Sequence, residues 1–170
     1  MMKQKNLIVI LVALLALFIF LSSCQKASFP TAVEAEEKIV SAKEQFKNNN
    51  NEKGLYLILD AILLTLPHTD YPSDVEAKIL MAKERFSNTN LLDDEGFKSL
   101  WEAFKIIKPD FEDFDKSGKP SAISSIAEHF ESKLREAQDQ IKEGNCEKVV
   151  VSLLEAILII KPVPQGVSNI

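Results

Sequence analysis

The sequence predicts an all-α fold of three helix-turn-helix pairs, stacked as a short solenoid or closed into a compact helical bundle. Three observations lead there. From Thr31 onward apolar residues recur at intervals of three and four with charged residues between them, the period of a helix and not of a strand. The periodic segments are cut by asparagine runs, a Gly-Asn step and prolines, which favour turns and stop helices. Lys43-Glu44-Gln45-Phe46 returns as Lys83-Glu84-Arg85-Phe86, with Ala42 and Ala82 just ahead of each, so the chain repeats part of its own plan.

The elements follow in order. Val33, Ala35, Ile39, Ala42 and Phe46 form the apolar stripe of a first helix that stops in Asn48-Asn49-Asn50-Asn51. Glu52-Lys53-Gly54 opens a second helix over Leu55 to Leu66, polar only at Asp60, Thr65 and the tip of Tyr56, and Pro67 ends it. Tyr71-Pro72 lies in a loop, with Ser73 or Asp74 as N-cap of a third helix marked by Val75, Ile79, Ala82 and Phe86 and stopped at Ser87-Asn88-Thr89-Asn90. Asp93-Asp94-Glu95 places acids where the dipole of a fourth helix favours them; its stripe is Phe97, Leu100, Trp101, Phe104 and Ile107, before Pro109. After an acidic insert at 110–120, Ile123, Ile126, Ala127, Phe130, Leu134, Ala137 and Ile141 mark a fifth helix of about five turns. Gly144-Asn145 breaks it, and Val149 to Ile160 is a sixth, apolar apart from Ser152 and Glu155. The helical domain therefore covers 31–163, in units of about 31–67, 73–109 and 121–162, with a frayed tail at 164–170.

Each second helix carries an alanine followed by a large apolar residue (Ala61-Ile62, Ala103-Phe104, Ala156-Ile157), with a proline six residues after the alanine. Alanine admits close approach of a neighbouring helix, and the proline stops the pair. With these features the chain resembles the tetratricopeptide repeat. Gly144-Asn145-Cys146-Glu147-Lys148-Val149 is similar to the family's interhelical turn, and Ala156 stands at the family's spacing after Val149, as Ala61 does after Gly54 and Ala103 after Gly96. Ala42 and Ala137 stand where the family has a small residue in its first helix. The repeat spacings of 42 and 53 residues exceed the family's roughly 34, no unit has the early tryptophan, Val149 is large for its place, and the closing proline is one residue late. The resemblance implies a concave groove lined by first helices, whose polar residues there are Lys43, Gln45, Lys83, Arg85, Arg135 and Gln138.

Ahead of the domain lie Lys3 and Lys5, the apolar run Leu7 to Leu21, and then Ser22-Ser23-Cys24. A basic region, an apolar region and small residues at a cleavage site make a secretory signal over 1–23; the run of about 15 residues is short of the roughly 20 of a spanning helix. The box Leu21-Ser22-Ser23-Cys24 resembles the bacterial lipoprotein signal. That resemblance implies cleavage before Cys24, a diacylglyceryl thioether on its sulfur and a fatty acyl group such as palmitate on its new amino terminus, with 24–30 as a lipidated tether. Each buried methylene contributes about 0.8 kcal/mol, so two or three chains hold firmly where one does not. Gln25 is not the aspartate that retains lipoproteins in the inner membrane of some diderm bacteria, so the expected location is the cell membrane by lipid anchor, at the outer membrane facing the periplasm in a diderm.

Cleavage leaves 147 of the 170 residues, the size of one domain, with 18 basic against 25 acidic side chains once Lys3 and Lys5 are removed. A net charge of −7 makes a poor nucleic-acid binder and is not drawn down onto anionic lipid. Acylation of Cys24 leaves Cys146 without an intrachain partner, expected as a small buried residue.

Candidates for chemistry are few. Asp113, Asp115 and Ser117 at alternate positions, followed by Gly118, resemble the opening of an EF-hand calcium loop, but Ser124 stands where the closing bidentate carboxylate belongs, so no metal is expected and any affinity is about millimolar. His68 and His129 fall in different units without companion ligands, and the serines form no nucleophile elbow. Neither catalysis nor a cofactor is expected. An apolar last helix must be covered, first by the chain's own curl, otherwise by a partner protein or a homodimer through Val149–Ile160, and last by an apolar ligand. The expected function is a membrane-anchored protein–protein interaction scaffold or accessory subunit of an envelope complex. The alternative is an apolar solute- or lipid-binding accessory protein of a transporter, with a closed pocket lined by Leu57, Leu64, Trp101 and Val150.

Overall fold

A computed structural model describes residues 29–88, 93–110 and 123–160. Those residues hold six α-helices and no strand: α1 (Ala32–Lys47), α2 (Asn51–Thr65), α3 (Ser73–Asn88), α4 (Asp94–Ile107), α5 (Ile123–Glu143) and α6 (Cys146–Ile160), with a 3₁₀ turn at Leu66–His68. The all-α fold in three helix pairs is as the periodicity predicts. The two apolar second helices start earlier than the apolar run alone indicates. Asn51 opens α2 directly after Asn50, and Cys146 opens α6 directly after Asn145, so polar first turns precede both apolar stretches. Cys146 is accordingly helical rather than part of the turn, and it is buried.

The ends of the helices have local causes. Asp93 caps α4, its carboxylate accepting from the Gly96 backbone N–H at 3.0 Å. The α1–α2 turn places Asn49 at φ 57 and the α5–α6 turn places Gly144 at φ 70, left-handed positions that asparagine and glycine occupy most readily. Pro67 sits in the 3₁₀ turn that follows α2.

Within the first two pairs the same contact recurs. A Cβ added to Gly54 would lie 2.6 Å from the Phe46 ring, and one added to Gly96 would lie 2.5 Å from the Phe86 ring. Each glycine thus lets the phenylalanine of the first helix lie directly on the backbone of the second. In the third pair the corresponding positions are Ile141 and Val149, both buried: the volume is shared between two aliphatic side chains instead of being placed wholly on one. Gly96→Ala should therefore cost stability. Overpacking of about 1–3 kcal/mol outweighs a helix-propensity gain of at most about 1 kcal/mol, because Phe86 is buried and wedged against Phe97 at 5.1 Å. Gly54→Ala should cost less, because Phe46 is only half-buried and borders an open cleft at that end of the bundle. Thermal unfolding of the two variants side by side checks the difference.

The pairs do not continue in one direction. Phe46 meets Phe130 edge-on at 4.7 Å while Lys43 donates to Gln138 at 3.3 Å, so α5 runs antiparallel to α1. In a continuing stack the two first helices would run the same way. The third pair is inverted and laid against the first, with α1 on α5 and α2 on α6, and α4 also packs on α6. Two ends of the bundle follow. At one lie Phe29, the 3₁₀ turn, Tyr71 and the start of α6, whose Glu147 carbonyl accepts from the Tyr71 hydroxyl at 3.2 Å. At the other lie Phe46, Asn51, the first turns of α5 and Ile160. Four residues, Thr69 to Pro72, suffice to join α2 to α3, which begins at the end where α2 stops.

This inversion places α6 in the middle. Its residues from Ser152 to Leu158 are buried without interruption, covered by α2, α4 and α5. Coverage by the chain's own curl is the arrangement observed, and it uses up the apolar surface that suggested a homodimer through Val149–Ile160; among these residues only Ile160 remains substantially exposed as a large apolar group, at 43%. None of the described helices is long and apolar enough to cross a membrane.

Candidate functional site

Past their polar first turns the two apolar second helices each carry one acid, Asp60 and Glu155, and each of these bridges lysines from two other segments. Asp60 on α2 accepts from Lys83 of α3 at 2.6 Å and lies 3.5 Å from Lys38 of α1. Glu155 on α6 accepts from Lys108, just past α4, at 2.9 Å and from Lys133 of α5 at 2.6 Å. Lys133 also reaches Glu136 at 2.9 Å. A buried carboxylate without partners is costly, so a lone acid in an apolar helix implies cations from its neighbours. Sequence could supply that implication but not the identity of the lysines, which lie 22 and 47 residues away from Glu155 in the chain.

The Glu155 cluster lines a cleft of about 340 Å³ that also includes Tyr71, Glu147, Lys148 and Ser152. Burial by itself pushes the Glu155 pKa up; hydrogen bonds from Lys133 and Lys108 and their positive charge outweigh it, leaving the carboxyl below its ordinary 4.5. Burial likewise pulls Lys133 down, and its hydrogen bonds to Glu155 and Glu136 more than reverse this, so its ammonium titrates above the ordinary 10.5. Burial, helped by the Glu147 carboxylate, lifts Tyr71 to about 12. These three groups hold fixed protonation states around neutral pH.

At the opposite end a second cleft, of about 320 Å³, has a floor of Phe46, Ile126, Ala127, Phe130 and Ile160 and a rim carrying Lys43, Lys47, Asn51 and Glu131. Leu57, Leu64, Trp101 and Val150, the residues expected to line a closed pocket, line neither cleft; Trp101 and Val150 are packed in the core.

The six polar residues expected along one groove are distributed. Lys43 and Gln138 do come together, tying α1 to α5. Lys83 is engaged by Asp60. Gln45 accepts from the Asn50 side chain at 3.0 Å within its own turn. Arg85 and Arg135 lie on exposed faces of α3 and α5. The helices α1 and α5 are neighbours, whereas α3 packs on α2 and α4. His68 packs its ring on Phe29 at 5.4 Å, and His129 is exposed on α5. Cys24, and the loop residues Asp113, Asp115 and Ser117, lie outside the described residues. Among the described residues no group of three or more His, Cys, Asp or Glu side chains is arranged to hold a metal ion.

Cys146 stands in the first turn of α6, a place that by itself favours a thiolate. Burial and the adjacent Glu147 carboxylate instead push its thiol above the ordinary 9.0, against a smaller opposing effect of a backbone hydrogen bond. The expected outcome is slow reaction with a thiol-specific reagent at neutral pH in the folded protein and fast reaction in denaturant. Spectrophotometric thiol titration measures both.

No protein-family model matches the chain, and comparison with curated proteins and with solved structures returns no match.

Proposed function

We propose that the protein is a membrane-anchored lipoprotein whose helical domain acts as a protein–protein interaction scaffold or accessory subunit of an envelope complex. The observation that carries this reading is the N-terminal segment: Lys3 and Lys5, the apolar run Leu7 to Leu21, and Leu21-Ser22-Ser23-Cys24 at its end. Acylation at Cys24 fixes the domain at a lipid surface while its acidic remainder stays in the aqueous phase. Gln25 favours the outer membrane, facing the periplasm, if the organism is diderm. A cleft whose Glu155, Lys133 and Tyr71 are held in fixed charge states is better suited to holding a partner than to proton transfer. The interaction surfaces it offers are the exposed polar residues of its first helices, Arg85 and Arg135 among them, and the open cleft at the Phe46 end.

Crosslinking in intact cells, followed by affinity capture of the wild-type protein and of Cys24→Ala, tests the reading. A partner recovered with the acylated protein and lost with Cys24→Ala supports an anchored scaffold. Equal recovery by both removes the anchor from the function, and failure of labelled palmitate to enter the wild-type protein removes the anchor itself.

The second reading, an apolar solute- or lipid-binding accessory protein, is favoured by the cleft of about 320 Å³ with its floor of Phe46, Phe130 and Ile126. That volume lies at the lower end of ligand sites, about 300–1,000 Å³. Saturable binding of a fluorescent fatty acid that is lost in Phe130→Glu, with the helical circular dichroism retained, would favour it over the scaffold.

A further inference from the structure

We infer that the end of the bundle carrying Phe29 faces the lipid surface, so that the apolar cleft at the Phe46 end is presented away from it. This rests on acylation of Cys24 and adds an orientation to it. Phe29 belongs to the folded body: it is 8% exposed, its ring lies 5.4 Å from that of His68, and its carbonyl accepts from the Ala32 N–H at 2.9 Å. Two residues on, Thr31 donates its hydroxyl to the Leu64 carbonyl at 2.6 Å, locking the entry of α1 to the exit of α2. The folded body therefore begins before the end of the stretch up to Pro30 that the sequence indicates, and only Gln25 to Ser28 lie between the acylated residue and the core in the sequence.

Covalent geometry then bounds the arrangement. A chain spans at most about 3.3–3.6 Å per residue, so the Phe29 Cα lies within about 18 Å of the Cys24 Cα. Helix α1, with 16 residues, extends about 24 Å from that point toward the Asn48–Asn50 turn. The Phe29 end is thus confined near the head groups, and the far end is not. Charge decides against laying the bundle on its side along α1 and α5. Their outer faces expose Glu34, Glu37, Glu44, Glu128, Glu131, Glu136 and Asp139 against Lys47 and Arg135, an acidic excess that an anionic surface repels. At the tethered end exposed Lys142 and Lys148 offset part of the charge of Asp70, Asp74 and Glu143, leaving fewer unbalanced acids than the side presents.

The test uses the full lipidated protein in vesicles of phosphatidylethanolamine and phosphatidylglycerol containing a head-group nitroxide lipid. In a Cys146→Ala background, a fluorophore is attached at Asp70→Cys, on the tethered end, or at Lys53→Cys, in the first turn of α2 at the other; both positions are exposed. The expected result is quenching several-fold stronger at position 70 than at position 53. A flexible Gly-Ser insert of about twelve residues between Ser28 and Phe29, which lengthens the reach as the square root of the added length, should bring the two toward equality. Equal or reversed quenching in protein that floats with the vesicles and carries acyl mass on Cys24 overturns the orientation while leaving the anchor intact. Absence of that acyl mass, or failure to float, overturns both.

Discussion

Leu154→Ala should lower the stability of the domain by about 3–4 kcal/mol. Leu154 is fully buried on α6, the helix that α2, α4 and α5 all cover, so the neighbours that would have to close a cavity are held from three sides. A domain of this size has about 5–15 kcal/mol in total, and the loss takes a large share of it. Leu80→Ala serves as the comparison. Leu80 is 48% exposed on α3, and its truncation should stay within about 0.5 kcal/mol of wild type. Urea unfolding followed by far-ultraviolet circular dichroism measures both. A shift for Leu154→Ala no larger than that for Leu80→Ala would mean that α6 is not central in solution.

Glu155→Ala should cost about 1–3 kcal/mol at neutral pH and should flatten the acid limb of the stability profile. Glu155 has a side chain only 11% exposed and holds Lys108 and Lys133. Removing one member of a fully buried charge pair costs about 3–5 kcal/mol, but the Lys108 side chain is 40% exposed and Lys133 retains Glu136, so both ammoniums find other solvation and the cost is smaller. The sign of the pH dependence follows from a folded-state pKa below the ordinary 4.5. The unfolded chain binds the proton first, so the stabilisation from Glu155 is complete above about pH 4.5 and is lost as the pH falls through the lower folded-state value. Wild type should therefore lose stability faster than Glu155→Ala below pH 4.5, and the two curves should converge there. Parallel curves across that range would show that the carboxylate is not engaged as described.

Asp60 repeats this device on α2, with Lys38 and Lys83, at a more exposed position. The resulting arrangement gives each apolar helix one charge that its neighbours must satisfy in register. Sliding α5 or α3 by a turn would move a lysine away from its acid, so the two clamps select one packing among several that the apolar faces alone would tolerate. For a domain proposed to stand at a membrane on four residues of tether, a fixed packing keeps each surface at a defined height above the lipid.

Much of the fold was legible in the residues. The helices and their order follow from local causes: the three-and-four spacing of Val75, Ile79, Ala82 and Phe86, the asparagines after Phe46, the acids that begin α4, and Gly144-Asn145 after Ile141. The close approach at Gly54 and Gly96 was visible as small residues at matching positions, although the rings that fill the space were not. Of the candidate surface, neither the contact of Lys43 with Gln138 nor the engagement of Lys83 by Asp60 was legible, because the first depends on α5 lying against α1 and the second on how α3 meets α2.

By itself the sequence determined the six helices, their breaks and the need to cover an almost wholly apolar last helix. Only the tertiary structure decided that the third pair is inverted, that α6 is the helix in the centre, and that Lys108 and Lys133 are the partners of Glu155. The physical reason is that a helical period reports which residues share a face and is the same read in either direction. The direction of a pair, and the company its face keeps, are set by contacts between residues as far apart as Phe46 and Phe130, which no local pattern contains.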